Sequence, residues 1–135
     1  MARDHRRLRV FHEAHRLTAA IYKETRAFPR DEWYGMRAQM RRAAVSVATN
    51  LVEGNARRGT PEYVNFLNIA RGSAGELGYL VLLASELGYL APVASRALDD
   101  ACNSLIPQLE SLLHTMVLKM NAERGHRPSG PKTKD

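Results

Sequence analysis

Cysteine is almost missing from this 135-residue chain: Cys102 stands alone, which excludes an internal disulfide framework and suits a reducing compartment. No apolar run approaches the ~20 residues that a membrane-spanning helix needs. The first residues, MARDHRRLRVFHEAHR, lack the apolar stretch of a secretory signal. Together these absences predict a cytoplasmic protein with no membrane partner. Glu-x-x-His, the ligand pair that di-iron helical bundles carry on two helices, does not occur, and His12, His15 and His114 stand outside any such pattern. The glycine-bearing segment GNARRG lacks the Lys-Ser/Thr that a P-loop needs. We therefore expect no metal and no cofactor.

What is present is positive charge, unevenly placed. Residues 1–60 hold 13 Lys/Arg against 6 Asp/Glu, residues 61–123 hold 3 against 7, and residues 124–135 hold 4 against 1. Those differences, +7, −4 and +3, make up the net charge of +6. A basic first half points to a polyanion or an acidic protein as partner. Apolar residues form 44% of the chain, ordinary for one globular domain with a core.

Apolar residues recur every three or four positions along nearly the whole chain, the helical period. Four amphipathic helices are predicted, over residues 8–28, 31–53, 61–87 and 93–120, joined by short links. The fold class is all-α, an antiparallel up-down-up-down four-helix bundle occupying residues 1–123, followed by a disordered basic tail over 124–135. Phe28-Pro29 ends the first helix, whose polar face carries Arg9, Arg16, Lys23, Glu13 and Glu24. Asp31 is the expected N-cap of the second helix, Thr60 that of the third with Pro61 in its first turn, and Gly88 ends the third. Gly54 is expected to close the second helix in a left-handed conformation. Gly35 falls inside that helix, and Pro107 inside the fourth, where it should introduce a kink.

The second helix carries a polar line, Gln39, Arg42, Ser46, Asn50 and Glu53, at steps of 3, 4, 4 and 3. The third carries Arg71, Ser73 and Glu76 beside three glycines, Gly72, Gly75 and Gly78. Interior helical glycines cost about 1 kcal/mol each relative to alanine, so a close helix contact should offset them. The small segment Ala43-Ala44-Val45-Ser46 is the expected neighbour. Antiparallel pairing then sets Arg42 near Ser73 and Gln39 near Glu76. The eight polar residues are read as a structural hydrogen-bonded network that fixes register, with Arg42 and Glu76 balancing charge.

The blocks QMRRAAVSVATNLVEGNARRG, FPRDEWYG before it and FLNIARGSAGELGYL after it resemble the bacterial four-helix bundle protein family. That family includes proteins encoded in 23S ribosomal RNA intervening sequences and the accessory protein of diversity-generating retroelements. The resemblance spans residues 8–118. It implies a homo-oligomeric ring, a pentamer, associated with nucleic acid or a ribonucleoprotein, and no established reaction.

Eight arginines are the candidate nucleic-acid contacts: Arg3, Arg6, Arg7 and Arg9 at the start of the first helix, and Arg37, Arg41, Arg57 and Arg58 on or after the second. The start of one helix lies beside the end of an antiparallel neighbour, so the terminal clusters are expected to merge at one end of the bundle. The guanidinium fork suits phosphate. No aromatic alternates with these arginines in sequence, so backbone-directed, salt-sensitive binding is expected rather than base stacking. The alternative is an adaptor oligomer whose arginines meet an acidic protein. A weaker alternative, a helical RNase of the HEPN type, rests on Arg7-x4-His12 and Arg9-x5-His15. No carboxylate is spaced to tune either histidine, and His15 falls near the apolar side, where packing is the commoner fate. Ser46 has no histidine to activate it. We expect no enzyme and no catalytic residue.

Overall fold

Proline or glycine stands at most helix boundaries but not at the end of the first helix, which stops at Glu24, four residues before Phe28, and not at Phe28-Pro29. The computed structural model describes residues 2–125, with side chains from residue 5 onward, and contains α1 (Ala2–Glu24), α2 (Met36–Asn55), α3 (Thr60–Glu86) and α4 (Pro92–Gly125). The described residues form no strand. α1 packs on α2 and α4, and α3 packs on α2 and α4, so α1 and α3 occupy diagonal corners of an antiparallel four-helix bundle. The α2–α3 seam is the most extensive and the α1–α4 seam the least.

Apolar spacing directs each helix inward. α1 contributes Val10, Ala14, Leu17 and Ile21, while α2 contributes Met40, Ala43, Ala44, Val47 and Leu51. Tyr63, Leu67, Ala70, Ala74, Leu77 and Val81 of α3 meet Leu98, Cys102, Leu105, Leu109 and Leu112 of α4 across the same core. Each large buried aliphatic contributes about 1.5–3 kcal/mol. Tyr22, Leu87 and Ala97 are exposed although the apolar spacing of their helices would place them inside.

The second helix starts later than its sequence suggests. After Pro29 the chain makes a short 3-10 turn, Arg30–Glu32, and α2 begins only at Met36. Asp31 does not cap it. The Glu32 carboxylate instead accepts the Met36 N–H at 3.3 Å and, through its other oxygen, the Tyr89 hydroxyl at 3.0 Å. Gly35 precedes the helix and touches Glu32: a Cβ there would lie 2.8 Å from the carboxylate. α3 begins one residue before Pro61, so Thr60 is no cap, and its hydroxyl donates to Glu123 of α4 at 3.1 Å.

The glycines divide by role, and not as their sequence suggests. Gly54 lies within α2, which ends in right-handed geometry at Ala56. Its missing side chain lets α3 approach, since a Cβ would meet Tyr63 Cδ1 at 3.0 Å and Phe66 Cβ at 3.1 Å. Gly88 alone among the described residues has positive φ, 76°. There the Tyr89 N–H reaches the Ala84 carbonyl at 2.9 Å and the Gly88 N–H reaches that of Ser85 at 3.1 Å, a Schellman termination. Gly72 and Gly75 do not face Ala43–Ser46: a Cβ on either meets nothing within 4 Å. Gly78 faces Ile106 and Cys102 of α4 instead. Ala74, not a glycine, lies in the core beside α2. α4 runs on through Pro107 without a break.

Candidate nucleic-acid interface

Helical spacing assembles the most continuous basic surface on the outer side of α1. His5, Arg9, His12, Arg16 and Lys23 follow at steps of 4, 3, 4 and 7, all exposed, forming one line about 27 Å long at 1.5 Å per residue. His5, Arg9, His12 and Arg16 border a shallow furrow with Arg6 and Leu8. The described acids of this helix, Glu13 and Glu24, leave that line. Glu13 turns to α4, where its carboxylate accepts from the Ser104 hydroxyl at 3.3 Å and from the Gln108 amide. Glu24 is half-buried. The exposed cations of that line, Arg9, Arg16 and Lys23, with no described carboxylate among them, raise the local positive potential that attracts a polyanion.

Of the eight arginines expected to contact nucleic acid, several are held by the fold. The Arg6 guanidinium donates to Ser111 at 3.1 Å and to Thr115 at 3.4 Å, tying α1 to α4. Arg7 lies flat over the Tyr63 ring, 3.7 Å from its centre, joining the start of α1 to the start of α3. Arg57 pairs with Glu53 at 3.4 Å and sits 5.1 Å over Phe66, while Arg58 next to it is exposed. These residues therefore share one end of the bundle, but chiefly as packing and pairing groups. Arg37 and Arg41 lie at the other end. Arg41 donates to the Thr25 hydroxyl at 3.0 Å and the Tyr22 carbonyl at 3.1 Å, with its guanidinium 4.6 Å over Tyr22. Arg37 stacks 4.4 Å from the Trp33 ring centre. Arg9 is exposed on the α1 line. The Arg3 side chain, and the tail from residue 126, lie outside the described residues.

The polar line across α2 and α3 contracts to three residues. Ser46 and Ser73 share a hydrogen bond of 2.7 Å, and Asn50 donates to the Ser46 carbonyl at 2.8 Å and its hydroxyl at 3.3 Å. Arg71 turns to Glu110 of α4 at 3.4 Å, and Glu53 pairs with Arg57. Gln39, Arg42 and Glu76 are exposed, and no ion pair joins Arg42 to Glu76 among the described residues. The register of α2 on α3 therefore rests on hydroxyls, one amide and apolar packing.

The chemistry expected of an RNase has little support in the geometry. Arg7 is committed to Tyr63, away from His12. His15 is exposed rather than packed in the core, with its ring stacked near Phe11 at 6.0 Å. Cys102 is buried, and desolvation first, then the nearby Asp99 carboxylate, raises its thiol pKa to about 11. A thiol so raised is a weak nucleophile near neutral pH. Among the described residues no group of three or more His, Cys, Asp or Glu could hold a metal ion, and no helix is long and apolar enough to cross a membrane.

One feature at the α1–α2 corner escapes a reading of the sequence, because Trp33 and Tyr34 look like members of a helix there. They lie instead in the turn before α2, where arginines interleave with aromatic rings in space. The α1 cation line was legible in principle from its spacing. Counting Glu13 and Glu24 on the same face hid it.

The fold matches a solved protein of unknown function from the S23 ribosomal protein family of Bacteroides thetaiotaomicron. The TM-score is 0.74 at 18% identity, over 81% of this chain and 98% of that one. No curated protein matches. The model of the 23S rRNA-intervening sequence protein family matches residues 6–111, which include Arg9, His12, Arg16 and Lys23 of the α1 line, the Ser46–Ser73 contact and the α1–α2 corner. With more than half of its length matched, the chain belongs to the 23S rRNA-intervening sequence protein family.

Proposed function

We propose that this protein is a non-enzymatic, cytoplasmic, self-associating bundle that binds nucleic acid, free or within a ribonucleoprotein, through the outer face of α1. The carboxylate-free line of His5, Arg9, His12, Arg16 and Lys23 carries this reading. Phosphates along a nucleic-acid backbone would meet exposed cations along several turns of one rigid helix. The arginines in that line suit phosphate through their bidentate fork. The family's name, tied to 23S rRNA, and the ribosomal family name of the similar solved protein agree in direction. Self-association is supported by the outer face of α3, where Ile69, Tyr79 and Leu82 are exposed beside Gly72 and Gly75. The ring of five subunits is what the family resemblance implies. A ring would repeat the cation line and raise avidity.

The test is RNA binding by the purified protein over a salt titration, with mass measured on the same sample. The proposal expects an oligomer whose affinity falls steeply and linearly on a log–log plot, by about 0.7–0.9 in slope per phosphate contacted. An oligomer with no affinity for RNA or DNA near physiological salt would contradict it. That result would favour an adaptor whose cation line meets an acidic protein.

A further inference from the structure

Tyr34 is 93% exposed, the most open of the large hydrophobic side chains in the described protein. It stands in the turn between Glu32 and Met36, next to Trp33, whose indole N–H donates to the Phe28 carbonyl at 3.2 Å. That bond fixes the Trp33 ring, and guanidinium groups stand over it: Arg37 at 4.4 Å and Arg30 at 5.4 Å from its centre. Across the corner, the ring of Tyr22 is 39% exposed under Arg41. Rings covered by guanidinium groups, with the open ring of Tyr34 beside them, form a surface that presents a free π face next to positive charge.

The acids around this corner do not neutralise it. Both oxygens of Glu32 are engaged, by the Met36 N–H and the Tyr89 hydroxyl, and Glu24 is half-buried. Asp31 is the exposed acid, against exposed Lys23, Arg26 and Arg30. The partner that matches such a surface has a negative backbone and flat, unsatisfied rings. Unpaired nucleotides have both, whereas a duplex buries its base faces in the stack. Lys23, which ends the α1 cation line, is the sequence neighbour of Tyr22 under Arg41. A strand whose phosphates follow α1 would therefore arrive with its bases at Tyr34.

We infer that the α1–α2 corner is a stacking platform for unpaired nucleotides, with Tyr34 as its free ring and Trp33 as its anchor. This rests on the proposed nucleic-acid function and narrows its ligand to single-stranded segments. Duplex RNA can still engage the α1 line, but it cannot use the corner.

Because Trp33 is the only tryptophan of the chain, its fluorescence reports on the corner directly. The full-length protein is titrated at low salt with a single-stranded RNA of about twelve nucleotides and with an RNA duplex of equal length. The single strand should quench Trp33 and the duplex should not. Tyr34→Ala should weaken single-strand binding by about five- to a hundredfold, the range of one base–aromatic stack, and leave duplex affinity within about twofold. Tyr34→Phe should restore single-strand binding, since the ring carries the effect. The open position of Tyr34 makes both variants compatible with the fold, which circular dichroism verifies. Salt-sensitive binding that is equal for both RNAs, unmoved by Tyr34→Ala and silent in Trp33 fluorescence, would overturn the platform while leaving the α1 reading intact. Absence of binding to either RNA would overturn both.

Discussion

α1 and α3 occupy diagonal corners of the same bundle, yet their outer faces have opposite chemistry. α1 shows a line of exposed cations and directs Glu13 away from it toward α4. α3 shows no exposed cation apart from Arg71, which pairs with Glu110 of α4, and carries exposed Tyr79 (60%) and Leu82 (53%) with Glu76 and Glu86. Gly72 and Gly75 leave this face smooth, with no described residue within 4 Å of a Cβ built on either. Fold alone would treat the two helices as equivalent, since each buries one apolar side between the same two neighbours. The outer residues differ in what they suit, as proposed above: phosphate for the first, and a closely approaching protein surface for the second.

Charge placed on α3 should break that comparison most visibly. Leu82→Arg combined with Tyr79→Glu is expected to reduce the proposed assembly to monomers, read by light scattering, with helicity retained because both side chains are exposed. An unchanged mass would remove α3 from the subunit interface. Gly54→Ala comes next, because it inserts a methyl group within 3.0–3.1 Å of Tyr63 and Phe66. It should cost about 1–3 kcal/mol in urea unfolding, the usual penalty of overpacking. The smallest effect belongs to Gly72→Ala. In the monomeric α3 variant it should stabilise by about 0.5–1 kcal/mol, since alanine is the better helix former and the space is empty. In the otherwise native chain the same methyl group should instead weaken the oligomer. Equal gains in both backgrounds would show that no second surface approaches Gly72.

The four helices were legible in the sequence because apolar spacing and the Thr60-Pro61 and Gly88 signals agree with each other, whereas Phe28-Pro29 lies beyond the end of α1 at Glu24. Their partners were less so. Periodicity shows which side of a helix is buried, but not which neighbour a flanking position meets. The sequence alone thus sends Gly72 and Gly75 toward α2, although they face outward, and sets Ser73 near Arg42, whereas Ser73 meets Ser46, one turn further along. Gly54 looked like a terminator because it precedes Asn55 and Arg57, whereas its small size serves contact with Tyr63. Arg6 and Arg7 were read as ligand contacts from charge alone. Their partners, Ser111, Thr115 and Tyr63, are far away in sequence. The Trp33–Tyr34 corner required knowing that the chain is not helical between Glu32 and Met36.

The central claim is that the α1 line, rather than the arginines at the α2–α3 turn, holds the nucleic acid. Its most direct test compares RNA affinity over a salt titration for two charge-reversed proteins, Arg9→Glu/Arg16→Glu/Lys23→Glu and Arg57→Glu/Arg58→Glu. The first should lose most of its affinity and about 2–3 units of log–log salt slope, with helicity unchanged. The second should stay close to the unmodified protein. The reverse order, with binding lost at Arg57 and Arg58 and kept without the α1 cations, would contradict the account.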